Sequence, residues 1–114
     1  MNTPTVPFQR LEKQVLKEGD IQVPAGSNVV VHYKGFFVNG QDFDSSVKPN
    51  QPFRFQLGRG MVISGLDQGV SSMKRGEVCY LFVPSHLAYG QQGEGGAIPS
   101  NTDLILQIEL LGWN

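Results

Sequence analysis

One cysteine in 114 residues, Cys79, has no partner for a disulfide within the chain. With His32 and His86 as the only histidines, no spacing resembles a zinc, haem or iron–sulfur site. Neither metal nor cofactor is expected. Charged residues make up only 17% of the chain, and nine Lys and Arg against ten Asp and Glu leave a net charge of −1. No basic field exists to hold phosphates, so nucleic acid is not an expected partner. The longest apolar stretch, residues 29–37, is broken by His32, Lys34 and Gly35. It falls well short of the ~20 residues a membrane helix needs, so no membrane association is expected. Residues 1–10 carry no apolar run of signal-peptide length and are interrupted by Pro4 and Pro7, which points to a cytoplasmic protein.

What the chain does contain is turn residues, 14 Gly and 7 Pro, between short β-rich runs. Its length suits one domain with one hydrophobic core that needs no covalent staple. Residues 1–8 lack periodicity and are read as a flexible tail, leaving 9–114 as the folded domain. Residues 9–17 fit an edge strand closed by Glu18-Gly19-Asp20. Residues 29–37 form the clearest strand, ending at Asn39-Gly40, a strong hairpin signal. A short strand starts at Gln41 and gives way to a loop at 47–52, after which residues 53–57 alternate at period two. Ser64 followed by Asp67 resembles a helix-capping box, and Leu66, Val70 and Met73 share a helix face. Gly69 and Gly76 read as limits on that helix, placing it at residues 65–72. Residues 77–83 and 104–111 are two further strands, the second with Leu104, Leu106, Ile108 and Leu110 on one face. The sum is an α+β fold: a curved antiparallel sheet of five to six strands wrapped around one short helix.

Reaction chemistry is sparse. The segment Gly90-Gln91-Gln92-Gly93-Glu94-Gly95-Gly96 is not followed by Gly-Lys-Ser/Thr, so it reads as a mobile surface loop rather than a phosphate cradle. Ser85 and His86 are sequence neighbours whose side chains point apart, and no Gly-x-Ser-x-Gly elbow exists. Cys79 shares a strand face with Leu81 and Val83, the setting of a buried, inert thiol. The chain is instead well supplied with aromatic residues. Phe36, Phe37, Phe55 and Phe82 lie in alternating strands and are assigned to the core. Tyr33, Phe43, Phe53 and Tyr89 are better placed for a site, since three of them stand at strand ends or loop starts.

Taken in order, Val30-Val31-His32-Tyr33-Lys34-Gly35, Phe43-Asp44-Ser45-Ser46, Pro52-Phe53-Arg54-Phe55, Leu57-Gly58-Arg59, Val62-Ile63-Ser64-Gly65-Leu66, Gly76-Glu77, Leu87-Ala88-Tyr89-Gly90 and Ala97-Ile98-Pro99 resemble the FKBP-type peptidyl-prolyl isomerases, the immunophilins that bind tacrolimus and rapamycin. The resemblance runs from about Leu11 to Leu111. It implies an apolar cleft between helix and sheet, walled by Tyr33, Phe43, Phe53, Val62, Ile63, Ile98 and Leu106, floored by Leu66 and rimmed by Asp44, Tyr89 and Ala97. Tyr33, Asp44 and Tyr89 would act in catalysis and the remainder would bind substrate. The expected partners are proline-containing polypeptides, as in assisted protein folding, and the macrolides tacrolimus and rapamycin; a monomer is expected. The chain departs from the family pattern with Leu66 where tryptophan is common, Leu106 where phenylalanine is frequent, Ala97 in place of isoleucine, and Pro49 in place of a basic partner for Asp44. Asp44, lacking that partner, is expected to be partly desolvated. Two other readings stay open: a peptide-binding module that uses the same cleft without turnover, and a structural partner joined through a sheet edge.

Overall fold

The computed structural model describes residues 8–45 and 51–114. In strand β2 (Asn28–Phe37), Val29 and Val31 turn inward and are 1% and 0% exposed, while the residues between them face the other way. The same alternation governs β6 (Leu104–Trp113), whose Leu104, Leu106, Ile108 and Leu110 are all buried. These two ten-residue strands pair antiparallel along nearly their full length and form the middle of the sheet. The remaining strands are β1 (Glu12–Lys17), β3 (Asp42–Ser45), β4 (Phe53–Gln56) and β5 (Val78–Val83), in the order β1-β5-β6-β2-β3. β4 also pairs with β2: it takes the first half of that strand at Asn28 to Val31, and β3 takes the second half at Lys34 to Phe36. The expected α+β architecture, an antiparallel sheet of five to six strands with one short helix, is therefore present, with six strands among the described residues. No helix among the described residues is long and apolar enough to cross a membrane.

The β2–β3 turn follows the Asn39-Gly40 signal: Gly40 adopts φ 93° and its N–H donates to the Phe37 carbonyl at 2.9 Å. Helix α1 (Ser64–Ser71) lies one residue earlier than the sequence spacing suggests, and the capping box is not formed. Ile63 occupies the cap position without a side-chain bond, because the Asp67 carboxylate instead accepts the Gly58 N–H at 3.0 and 3.2 Å, pinning the preceding loop to the helix. Gly69 does not stop the helix. It sits inside it, where a Cβ would collide with Leu81, and a Cβ at Gly65 would collide with Val83. Both glycines are there for close helix–sheet approach.

Three other expectations change. Phe55 is core, and Phe37 packs partly buried against it, but Phe36 and Phe82 are half-buried on the outer sheet face, since each stands one residue out of phase with the buried set. There Lys34 lies over the Phe36 ring at 5.4 Å, and Phe8 meets Phe82 edge-on at 5.8 Å. Phe8, which the sequence places at the end of a loose tail, is thus held by the domain; residues 1–7 lie outside the described ones. The Gly-rich segment is tied back on itself rather than loose: Glu94 and Ile98 exchange backbone hydrogen bonds at 2.8 and 2.9 Å, and Ile98 is buried. The 47–52 loop, with Pro49, falls largely outside the described residues. Residues Ser85–Leu87 form a 3-10 turn that the sequence reading missed.

Cys79 is fully buried beside Met73, and burial pushes its thiol up to about 12, as expected of an inert side chain. The unexpected buried group is Glu77, 2% exposed at the start of β5. Its carboxylate accepts the Lys74 N–H at 3.0 Å and pairs with the Lys13 ammonium at 2.8 Å, while Lys13 also donates to the Ser72 carbonyl at 3.0 Å. One edge-strand lysine thereby joins β1, β5 and the end of α1. Removing Glu77 takes the acceptor from the part-buried Lys74 N–H and the counter-charge from the partly exposed Lys13 ammonium. Glu77→Ala is expected to lower unfolding free energy by about 3 kcal/mol in a urea titration; a loss below about 0.5 kcal/mol, the range of an exposed surface change, would show the pair to be unimportant.

Candidate functional site

A cavity of about 210 Å³ opens between α1 and the inner face of the sheet. Its walls follow from the strand pairings. β2 presents Tyr33, and because Gly35 has no Cβ the Phe43 ring of β3 lies directly against that stretch of backbone. β4 contributes Phe53, whose ring meets Tyr33 edge-on at 5.7 Å and 77° and continues into Phe55 at 5.6 Å. Phe43 packs against Phe37 at 5.0 Å. Such contacts fix ring orientations and so give the cavity a defined shape. Leu66, 8% exposed on the first turn of α1, closes the floor, and Val62 and Ile63 form the shoulder where the chain enters the helix.

Polar groups are few and lie at the mouth. The Tyr33 hydroxyl donates to Asp44 Oδ2 at 2.8 Å. Asp44 itself is exposed rather than partly buried among its aromatic neighbours, at the rim of the cavity on edge strand β3. Burial raises the Tyr33 phenol to about 12, reinforced by the hydrogen bond to Asp44 and that residue's negative charge. Tyr89 is likewise raised, by burial first and then by the charges of Glu94 and Asp44. Both phenols are therefore protonated donors at neutral pH.

Of the residues singled out from sequence, Tyr33, Phe43, Asp44, Phe53, Val62, Ile63, Leu66, Tyr89 and Leu106 come together around this one cavity. Ala97 and Ile98 do not line it. Ala97 is exposed, and Ile98 turns into the core beneath the loop, drawn there by its backbone pairing with Glu94. Met61, Leu104 and Ile108 line the cavity and were not anticipated. Period-two alternation around Leu106 would have found Leu104 and Ile108; Met61, 60% exposed in a loop, carries no periodic signal. Among the described residues the only charged side chain in the lining is Asp44, and none there is a nucleophile activated by a neighbouring base. What the arrangement can do is enclose an apolar group while offering hydrogen bonds at its edge.

Comparison with known proteins agrees with this geometry. Residues 19–111 match the family model described as FKBP-type peptidyl-prolyl cis-trans isomerase. FK506-binding protein 1 of Dictyostelium discoideum is 47% identical over 102 residues, spanning 89% of this chain and 95% of that protein. FK506-binding protein 1A of Neurospora crassa is 41% identical over 112 residues, 98% of this chain and 93% of its own. Among solved structures, the one titled "Crystal structure of AtFKBP13" superposes with a TM-score of 0.86 at 33% identity, covering 91% of this chain and 93% of that one. With a matched family model over most of its length and relatives near half identical, the chain belongs to the FKBP-type peptidyl-prolyl cis-trans isomerases, a family of enzymes.

Proposed function

We propose that the cavity between α1 and the sheet is where this protein accelerates rotation about X-Pro bonds of polypeptide chains. The observation that carries the reading is the lining: eleven apolar or aromatic side chains around about 210 Å³, with Asp44 as the single charge among the described residues, at the rim. Partial double-bond character sets the barrier to X-Pro rotation at ~18–20 kcal/mol, while cis and trans differ by only about 0.5–1 kcal/mol. Only the barrier has to fall. At the twisted transition state amide resonance is lost and the carbonyl is less dipolar, so removal from water costs it less than it costs the planar ground state. A dry aromatic cleft therefore favours the twist, and each ~1.4 kcal/mol of that preference is worth tenfold in rate.

In this reading Phe43, Phe53, Val62, Leu66 and Leu106 receive the prolyl ring. The Ile63 N–H, just ahead of α1, and the Tyr89 hydroxyl bind carbonyls on either side, and Tyr33 orients Asp44. The same cleft would take macrolides such as tacrolimus and rapamycin, a reading supported by the names of the FK506-binding relatives. Assistance to protein folding, a monomeric state and a cytoplasmic location belong to the same proposal. A protease-free assay on Xaa-Pro tetrapeptides tests it. Turnover is expected, faster with Leu than with Glu before proline, because Ile63 and Leu106 flank that position. Equal rates would contradict an apolar subsite, and binding without turnover would favour a peptide-binding module.

Leu66 offers less surface than an indole. At ~25 cal/mol per Å², a few tens of Å² correspond to roughly 1 kcal/mol, or about fivefold in affinity. Leu66→Trp is expected to tighten rapamycin binding by about that factor in calorimetry; weaker binding would mean the floor has repacked around leucine.

Tyr33 gives a pH test. Its folded-state pKa of about 12 lies above its ordinary value of 10.0, so the stability it contributes is complete below pH ~10 and is lost as pH rises towards 12. The stability difference between the native chain and Tyr33→Phe should be constant from pH ~7 to 9 and shrink between ~10 and 12. A pH-independent difference would show that the phenol is not held as described.

A further inference from the structure

Asp103 lies outside the cleft, immediately before β6, and its carboxylate holds two backbone donors from distant parts of the chain. The Phe8 N–H donates to Oδ2 at 2.8 Å and the Ser85 N–H to Oδ1 at 2.8 Å. Phe8 is further fixed by its ring against Phe82. Ser85 opens the 3-10 turn, and its carbonyl accepts both the Ala88 N–H at 3.0 Å and the Gly90 N–H at 2.9 Å. Those two residues flank Tyr89. Beyond them, the Tyr89 carbonyl accepts the Gly93 N–H at 3.1 Å and the Gly90 carbonyl accepts the Asn101 N–H at 2.8 Å. A continuous path of hydrogen bonds therefore runs from Phe8 through Asp103 and Ser85 to both sides of Tyr89.

We infer that Asp103 is a positioning residue for Tyr89, and that Phe8, docked on the outer sheet face, is part of the support of the cleft rim. The inference rests on the binding role given to the Tyr89 hydroxyl above. A binding group must be held to within about 0.5 Å of its productive place, and the loop that follows Tyr89 is poorly suited to hold itself. It contains Gly90, Gly93, Gly95 and Gly96, three of them at positive φ, so its backbone has much freedom to lose. Its bonds are otherwise internal, from one part of the loop to another. Asp103 fastens the base of the loop to the sheet with a charge-assisted bond, the stronger kind, and its second oxygen ties that base to the chain before β1. Loss of the carboxylate leaves two N–H groups without their acceptor at the point where the Tyr89 turn begins.

The test compares Asp103→Ala and Phe8→Ala, each in the native chain and in Tyr89→Phe, by steady-state turnover and by amide hydrogen exchange. Asp103→Ala should raise KM about fivefold with kcat little changed, the size of one lost hydrogen bond, and should have no effect on KM when Tyr89 is already Phe. Exchange of the Ala88 and Gly90 N–H groups should speed up at least about tenfold in Asp103→Ala, and in the same direction in Phe8→Ala. Equal KM effects in both backgrounds would overturn the inference, as would unchanged exchange at Ala88 and Gly90. The exchange measurement needs no turnover: if the native chain proved inactive, the functional reading would fail while exchange still decided the role of Asp103. Should Asp103→Ala not fold, Asp103→Asn, which keeps one acceptor oxygen, and Phe8→Ala carry the same test.

Discussion

The approach of α1 to the sheet is the constraint on which the rest of the molecule depends. An eight-residue helix is too short to be stable alone and exists because Leu66, Val70 and the following Met73 are buried against β5 and β6. Gly65 and Gly69 let its backbone come down onto Val83 and Leu81, with no room for a Cβ at either position. That depth places Leu66 at the floor of a cavity rather than level with its rim. It also sets Ile63 at the mouth, where the extended chain turns into the helix.

Around that contact the polar groups divide by location. The Lys13–Glu77 pair, with the carboxylate buried and the ammonium partly exposed, joins three elements where β1 would otherwise be a loosely attached edge, with Val15 and Leu16 exposed. The Tyr33–Asp44 bond sits at the open end of the cleft, where its geometry orients groups without putting a charge in the apolar interior. A reaction that makes and breaks no covalent bond needs little more than this. In the proposed reading shape and exclusion of water act on the amide, the protonated Tyr89 phenol supplies a donor, and the Tyr33 phenol orients Asp44. The scarcity of reactive side chains is thus consistent with the chemistry proposed for the site.

Strands β2 and β6, the hairpin turn at Asn39-Gly40 and nine of the cavity residues were legible in the sequence. The strands and the turn were legible because period-two alternation and turn propensity act over a few residues; the cavity residues were legible because the ordered motifs resemble those of the FKBP-type family, which implies the cleft. Helix capping was misread because Ser64 and Asp67 have the right spacing, yet the carboxylate found a better-placed donor in Gly58, nine residues away. Gly69 was misread for a related reason. Propensity treats glycine as a helix breaker, whereas here its missing side chain is what the neighbouring strand requires.

The sequence by itself determined which segments are strands and which residues share a face, because the pleat admits only two faces and alternation marks both. Only the tertiary structure decided what covers each face. Phe36 and Phe82 carry the same local signal as Phe55 but look outward, since core membership depends on which side the helix packs. Glu77 and Asp103 look like ordinary surface carboxylates, and their partners, Lys13 in one case and Phe8 and Ser85 in the other, are brought to them by strand pairing across 18 to 95 residues of chain. Contacts of that range leave no periodic trace, because they are fixed by how the sheet closes and not by the residues on either side.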